Sequence, residues 1–160
     1  GVITWVAVAD GLPAEIRMED RLIRDSDAGI TRRSASMTEP LNASMNVFPL
    51  SHGQHNSQPC TLVAIQLETG LTHQIRAQCS LRAFALLGDS KYGGMPLAGG
   101  YILHCTALSC VPVHTVALPA LVSAPLSEPA RLTIDALCGK GCAASAYAWI
   151  CEAAGRMKKF

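Results

Sequence analysis

Residues 60–68, Cys-Thr-Leu-Val-Ala-Ile-Gln-Leu-Glu, constrain the fold of this chain more than any other segment. Leu62, Ala64, Ile65 and Leu67 form a short apolar run, and Thr69-Gly70 closes it with a turn. That is the pattern of a buried strand. A buried strand needs partners on both edges, and the sequence supplies candidates. Residues 3–9 (ITWVAVA) read as a second buried strand closed by Asp10-Gly11-Leu12-Pro13. Residues 15–23 (EIRMEDRLI) alternate imperfectly and suit a half-exposed strand, and residues 42–50 (NASMNVFPL) and 101–111 (YILHCTALSCV) are further candidates. Residues 25–40 are polar and read as a long loop, flanked by Arg24 and containing Arg32 and Arg33; residues 52–59 read as a polar turn. Beyond Gly70, Thr72 is expected to cap a helix from His73 to about Phe84, with Ile75, Cys79 and Leu86 on one side. Ser127-Glu128-Pro129 opens a helix that runs to Cys138, and residues 139–141 break it. Residues 142–157 form an Ala-rich helix with a basic tail of Arg156, Lys158 and Lys159. Strands fill the first two-thirds and helices the end. The expected class is therefore α+β, a mainly antiparallel mixed sheet with flanking helices in one domain over residues 1–160, residues 127–160 being its helical C-terminal segment.

Such a sheet must be covered, and the composition allows it. Hydrophobic residues make up 49% of the 160 and charged residues 16%, which excludes disorder. The net charge of +1 provides no general field for nucleic acid, so any anion site has to be a local patch. No run reaches the ~18 apolar residues of a membrane span. The opening GVITWVAVADG lacks a basic region and a cleavage site, so it is not read as a signal peptide. The chain is expected inside the cell, with no membrane partner. Its seven cysteines, an odd number scattered through apolar segments, read as reduced thiols. Cys138 and Cys142 lack the second pair that a zinc site needs, so no metal is expected.

The chemistry concentrates between Leu67 and Gly94. A helix start carries free N–H groups and partial positive charge. Arg76 in that first turn adds a cation, which together suits a carboxylate or a phosphate. His73 and Gln74 add neutral hydrogen-bonding groups, and Lys91 and Tyr92 in the next turn offer a phosphate contact and a stacking face. The alternative is structural: His73 and Gln74 satisfy backbone groups in a turn-dense stretch, and Arg76 only pairs with a nearby acid.

These residues resemble a known family. Thr69-Gly70-Leu71-Thr72-His73-Gln74-Ile75-Arg76-Ala77-Gln78-Cys79, followed by Leu87-Gly88-Asp89 and Tyr92-Gly93, is similar to the T-G-R-T-H-Q-I-R-V-H-L, L-G-D and Y-G motifs of RluA-type pseudouridine synthases. Leu103-His104-Cys105 with Leu108 is similar to the family's L-H-A-x-x-L strand, and TWVAVADGLP to its K-x-Y-x-A-x-V-x-G-x-P strand. The resemblance covers roughly Thr4 to Pro125, the C-terminal half of that catalytic domain. It implies isomerisation of uridine to pseudouridine in rRNA or tRNA, without cofactor or metal, on a base extruded from its stack. It gives Arg76 the role of pairing with the family's catalytic aspartate, holding it ionised and aimed. It places Trp5 where the family has a tyrosine against the target base, keeping a stacking face and losing a hydroxyl. Thr72, His73, Gln74, Lys91 and Tyr92 are the residues expected to bind RNA. Leu71 replaces the arginine of T-G-R, and Gln78 replaces a histidine.

The family's aspartate lies in an H-R-L-D segment before the tyrosine strand, and this chain begins at that strand. Asp10, Asp20, Asp25, Asp27, Asp89 and Asp135 all lie outside such a context. Asp89 reads as a turn residue accepting backbone N–H bonds. The resemblance thus implies a chain that supplies the aspartate-pairing arginine but is inactive alone. Its partner would be the missing N-terminal half, another subunit or a second copy. The alternative is a natural, catalytically inactive RNA-binding or ribosome-assembly scaffold of the same fold.

Overall fold

A computed structural model describes residues 2–110 and 119–156. Lys158 and Lys159 of the expected basic tail lie outside the described residues. The order of elements is β1 (Val2–Asp10), β2 (Ile16–Asp20), β3 (Leu22–Asp25), β4 (Ile30–Arg33), β5 (Ala43–His55), β6 (Gln58–Leu67), α1 (Gln74–Leu81), a 3-10 turn at Ser90–Tyr92, β7 (Leu103–Ser109), β8 (Leu121–Ser123), α2 (Glu128–Cys138) and α3 (Cys142–Arg156). Six strands form one antiparallel sheet in the order β2-β5-β6-β1-β7-β8, and β3 and β4 form a separate two-stranded sheet. The expected α+β class with a mainly antiparallel sheet is what the chain adopts.

β6 and β1 sit at the centre, and both of their faces are covered, which is why they read as nearly unbroken apolar runs. Val6 and Val8 of β1 and Leu62 and Ala64 of β6 pack against Ile134 of α2 and Ala146 and Ile150 of α3. Ala7, Ala9, Val63 and Ile65 face the other way, onto Ile75 and Cys79 of α1. The small residues of α3 let that helix lie close to the sheet. α2 lies equally close to β5, where Gly53 sits directly under the Leu137 carbonyl and leaves no room for a Cβ. α2 begins and ends as its sequence dictates: the Ser127 hydroxyl accepts from the Ala130 N–H, Pro129 occupies the first turn, and Gly139 stops it.

Three expectations are corrected. Residues 15–23 are not one strand. β2 pairs with β5, then Arg21 turns the chain into β3, which belongs to the other sheet. Residues 25–40 are not one loop, because β3 and β4 pair as a hairpin from Leu22↔Arg33 to Asp25↔Ile30. Its turn is closed by the Ala28 N–H donating to Asp25 Oδ1 and by Gly29 at a φ of +65°. The polar turn at residues 52–59 shrinks to Asn56 and Ser57, both at positive φ, with β5 and β6 paired up to His55↔Gln58. Two successive left-handed residues match the twist of a tight hairpin. All seven cysteines are free thiols. Among the described residues no helix is long and apolar enough to cross a membrane.

Candidate functional site

The site is built where α1 enters the structure. The Thr69–Thr72 turn is organised by the Gln74 side chain: its Oε1 accepts from Thr69 Oγ1 at 2.8 Å and from the Leu71 N–H at 3.1 Å. Its Nε2 donates to the Ser44 carbonyl and to Gln78 Oε1. All four hydrogen-bonding positions of the amide are spent inside the protein. Gln78 continues the chain of bonds to Asp20, which Arg82 also holds at 2.7 Å. Burial alone would raise the Asp20 carboxyl, but the bonds from Arg82 and Gln78 and the charges of Arg82 and Arg33 outweigh it and hold it below the usual carboxylate range.

Thr72 is not the helix cap. The capping position belongs to His73, whose backbone is left-handed at a φ of 57° and whose side chain makes no capping bond. That conformation costs a non-glycine residue about 1–2 kcal/mol. Thr72 instead offers its carbonyl to Thr31 Oγ1 of β4 at 2.6 Å, which ties the hairpin to the start of α1.

The left-handed backbone turns the His73 ring toward Arg76 and Tyr92. Nε2 lies 3.1 Å from Arg76 Nη1, and Nδ1 lies 2.8 Å from Tyr92 Oη. A guanidinium only donates, and one faces each ring nitrogen, Arg76 Nη1 at Nε2 and Arg24 Nη1 at 3.3 Å from Nδ1, so a second ring proton would point at a cation. The ring is therefore neutral. Burial lowers its pKa, and the charges of Arg76, Arg24 and Lys91 lower it further, against an opposing pull from Asp89.

Arg76 projects from the first turn of α1 and is only 8% exposed. Its Nε and Nη2 donate to the two carboxylate oxygens of Asp89, both at 2.8 Å. Asp89 thus spends its carboxylate on Arg76, not on backbone N–H groups as the turn reading has it. The guanidinium carbon lies 4.7 Å from the Tyr92 ring centre and 4.6 Å from that of Tyr101. Two aromatic faces and one bidentate anion leave the group a single orientation. Two of its five N–H groups remain for a ligand: one on Nη1, one on Nη2.

Beside this arginine is a cleft of about 200 Å³ lined by Trp5, Leu67, Leu71, His73, Gln74, Ile75, Arg76, Tyr101 and Leu103. Trp5, from β1, and Arg76, from α1, therefore share one concave site. The walls are mostly apolar, and the Trp5 indole N–H is buried without a partner. Tyr101, 39% exposed, is an aromatic wall that sequence reading missed; its only signal is its place just ahead of the Leu103-His104-Cys105 strand. Tyr92 lies under the guanidinium, 8% exposed, with its hydroxyl accepting from the Thr31 N–H at 2.8 Å. Lys91 is exposed beside it. Arg24 of β3 was also missed: its Nη1 reaches to 3.3 Å from His73 Nδ1. Of the other hairpin arginines, Arg32 pairs with Asp25 and Arg33 with Asp20.

No carboxylate is among the described residues that line the cleft. Asp10 holds the Met95 N–H, Asp20 holds Arg82, Asp135 holds the Ala143 N–H, and Asp89 stands outside the lining set, gripping Arg76. The described residues also contain no group of three metal-ligating side chains.

The neutral His73 has a measurable consequence. Its folded pKa lies below the ordinary 6.5, so below about pH 6.5 the unfolded chain takes up a proton that the folded chain refuses. Stability is expected to fall as pH drops through that window. Urea unfolding at pH 7.5 and 5.5 should show a smaller loss for His73→Asn than for the unaltered protein. Equal losses would mean the ring is not held neutral.

No family model matches the chain. The chain is 36% identical over 89 residues to the uncharacterized RNA pseudouridine synthase YlyB of Bacillus subtilis, covering 56% of this chain and 28% of that protein. It is 29% identical over 112 residues to ribosomal large subunit pseudouridine synthase D of Haemophilus influenzae, covering 57% of this chain and 35% of that one. The chain thus spans about a third or less of these curated relatives. In structure it is similar to human RNA pseudouridylate synthase domain containing 1, with a TM-score of 0.64 and 23% identity over 84% of this chain and 58% of that one. At that identity the likeness is one of fold. Sequence and fold together relate the chain to RluA-type RNA pseudouridine synthases over the part of them that it spans.

Proposed function

We propose that this chain is the arginine-bearing part of an RNA pseudouridine synthase, which takes a flipped-out uridine of rRNA or tRNA into the cleft between Trp5 and Tyr101. The observation that carries this reading is the convergence of Arg76 and Trp5, from elements far apart in sequence, on one largely apolar cleft of about 200 Å³. A planar base suits such a cleft because stacking on an aromatic face contributes about 1–3 kcal/mol. Arg76 supports catalysis by pairing with an initiating carboxylate through its two unspent N–H groups. An opposite charge at short range keeps that carboxylate ionised. The carboxylate comes from a segment other than the described lining residues. Isomerisation retains every atom of the uridine, so the reading calls for no cofactor. The same absence of a carboxylate also suits the alternative, a non-catalytic RNA-binding subunit, and turnover separates the two.

Binding tests the common part. A uridine-containing stem-loop is expected to bind with a slope on the order of −1 to −3 in log affinity against log salt, because few phosphates are neutralised. Trp5→Ala should weaken binding by about 1–3 kcal/mol. A perfect duplex should bind less well, since it offers no open base face. No binding at low salt, or full binding by both Trp5→Ala and Lys91→Ala, would defeat the proposal.

A further inference from the structure

The cleft does not end at His73. A second cavity, of about 160 Å³, lies on the other side of Leu71 and is lined by Leu22, Ile23, Arg24, Thr31, Asn42, Leu71 and Thr72. Leu71 borders both spaces. The first is walled mainly by aromatic and aliphatic groups, with His73, Gln74 and Arg76 among them. The second carries a cation, Arg24, together with Thr31, Asn42 and Thr72. A mainly apolar slot and, across Leu71, a space that carries Arg24 together have the chemical layout of a nucleotide, a base next to a phosphate.

Two cations whose charges reach the His73 ring, Arg24 and Lys91, have no carboxylate of their own. Among the described residues, neither Arg24 nor Lys91 takes part in an ion pair, whereas Arg17, Arg32, Arg33, Arg76 and Arg82 all do. Arg24 stands opposite Thr31 in the hairpin register, and Thr31 is bolted down by its bonds to Thr72 and Tyr92. The hairpin therefore fixes where Arg24 starts from. Lys91 reaches the hairpin tip: its Nζ lies 3.0 Å from where a Cβ on Gly29 would stand. Between them, the Arg24 guanidinium faces His73 Nδ1 at 3.3 Å. At 3.3 Å that contact is long, and the same ring nitrogen lies closer, at 2.8 Å, to Tyr92 Oη. An anionic oxygen placed there would accept from Arg24 and relieve the crowding of positive charge around the ring.

We propose that Arg24, His73 and Lys91 form a phosphate subsite beside the cleft, which seats the phosphodiester next to the base held between Trp5 and Tyr101. This rests on the reading of the cleft as an RNA site, and it adds a hairpin arginine that fixes the strand's register. The ligand chemistry is a phosphate, from an RNA strand and not from free phosphate.

The test compares the unaltered chain with Arg24→Gln, Arg32→Gln and Trp5→Ala. Affinity for a uridine-containing stem-loop is measured across a salt series, and the His73 ring resonances are followed with RNA and with inorganic phosphate. Arg24→Gln is expected to bind roughly five- to tenfold more weakly, with a salt slope shallower by about 1. Arg32→Gln, whose arginine is already paired with Asp25, should behave as the unaltered chain. RNA should shift the His73 resonances, and Arg24→Gln should reduce that shift. If Arg24→Gln keeps full affinity and slope while Trp5→Ala binds weakly, the subsite is wrong and the cleft reading stands. If Arg32→Gln loses as much as Arg24→Gln, the hairpin acts only through general charge and the subsite is likewise wrong. If inorganic phosphate saturates the His73 shift and RNA does not compete with it, the site belongs to free phosphate. If the unaltered chain binds no RNA at low salt, both readings fall.

Discussion

Replacing Asp89 with alanine is expected to cost about 3–5 kcal/mol of unfolding free energy, because it strands a buried guanidinium. Arg76 is 8% exposed and Asp89 1%. The pair meets through two parallel 2.8 Å bonds, so removing the anion leaves a largely buried charge without its counter-ion. The flanking Tyr92 and Tyr101 rings offset only a fraction of that penalty. The double variant Asp89→Ala with Arg76→Met should be more stable than Asp89→Ala alone, since an apolar side chain in the same space needs no counter-charge. Chemical denaturation of the three proteins checks both statements. A cost below about 1 kcal/mol for Asp89→Ala would show that the guanidinium finds water or another partner, and that Asp89 does not position it.

The second large effect is on turnover. The chain by itself is expected to leave the uridines of a substrate RNA unconverted, however well it folds and binds. The reason is chemical: the described cleft walls hold an arginine, a histidine and aromatic groups, but no carboxylate to start the reaction. A chimera joining the preceding half of a relative to Val2 is expected to convert uridine. In that chimera Arg76→Gln should lower the rate by on the order of 10²–10⁴, the range a positioned acid–base group contributes. Nucleoside analysis by mass spectrometry reads the product directly. Conversion by the unaltered chain, lost on changing one of its own aspartates, would overturn the proposal about the missing group.

Much of this arrangement is legible in the sequence. The central strands announce themselves because both faces are buried, so residues 3–9 and 60–68 have no polar alternation to disguise them. α2 carries its boundaries in Ser127, Pro129 and Gly139, each a local signal with a local cause. The start of α1 misleads because its cap is not made by sequence-local chemistry. Thr72 is a good capping residue, but its carbonyl is claimed by Thr31, and Gln74 organises the turn in its place. The β3–β4 hairpin is hidden for a similar reason: its four-residue strands are polar and short, and they settle by packing Leu22 and Ile30 against Ala77 and Tyr92. Asn56 and Ser57 could have been found, since adjacent polar residues between two apolar runs are a hairpin signal. Arg24 could not. Nothing near it in sequence points to His73, and only the fold of the hairpin brings them together.

The central position of β1 has a consequence for how the chain reaches this state. Val6 lies opposite Ala64 on one side and His104 on the other. The strand synthesised early among these residues must therefore wait for partners that emerge roughly 60 and 100 residues later, about 3–20 s at the ordinary pace of translation. Contacts at such separation give a high contact order, and folding on the slow side of the range for domains of this size follows from it. Until β6 arrives, β1 is an unpaired apolar segment with both edges open, the kind of segment that recruits chaperones or a neighbouring nascent chain.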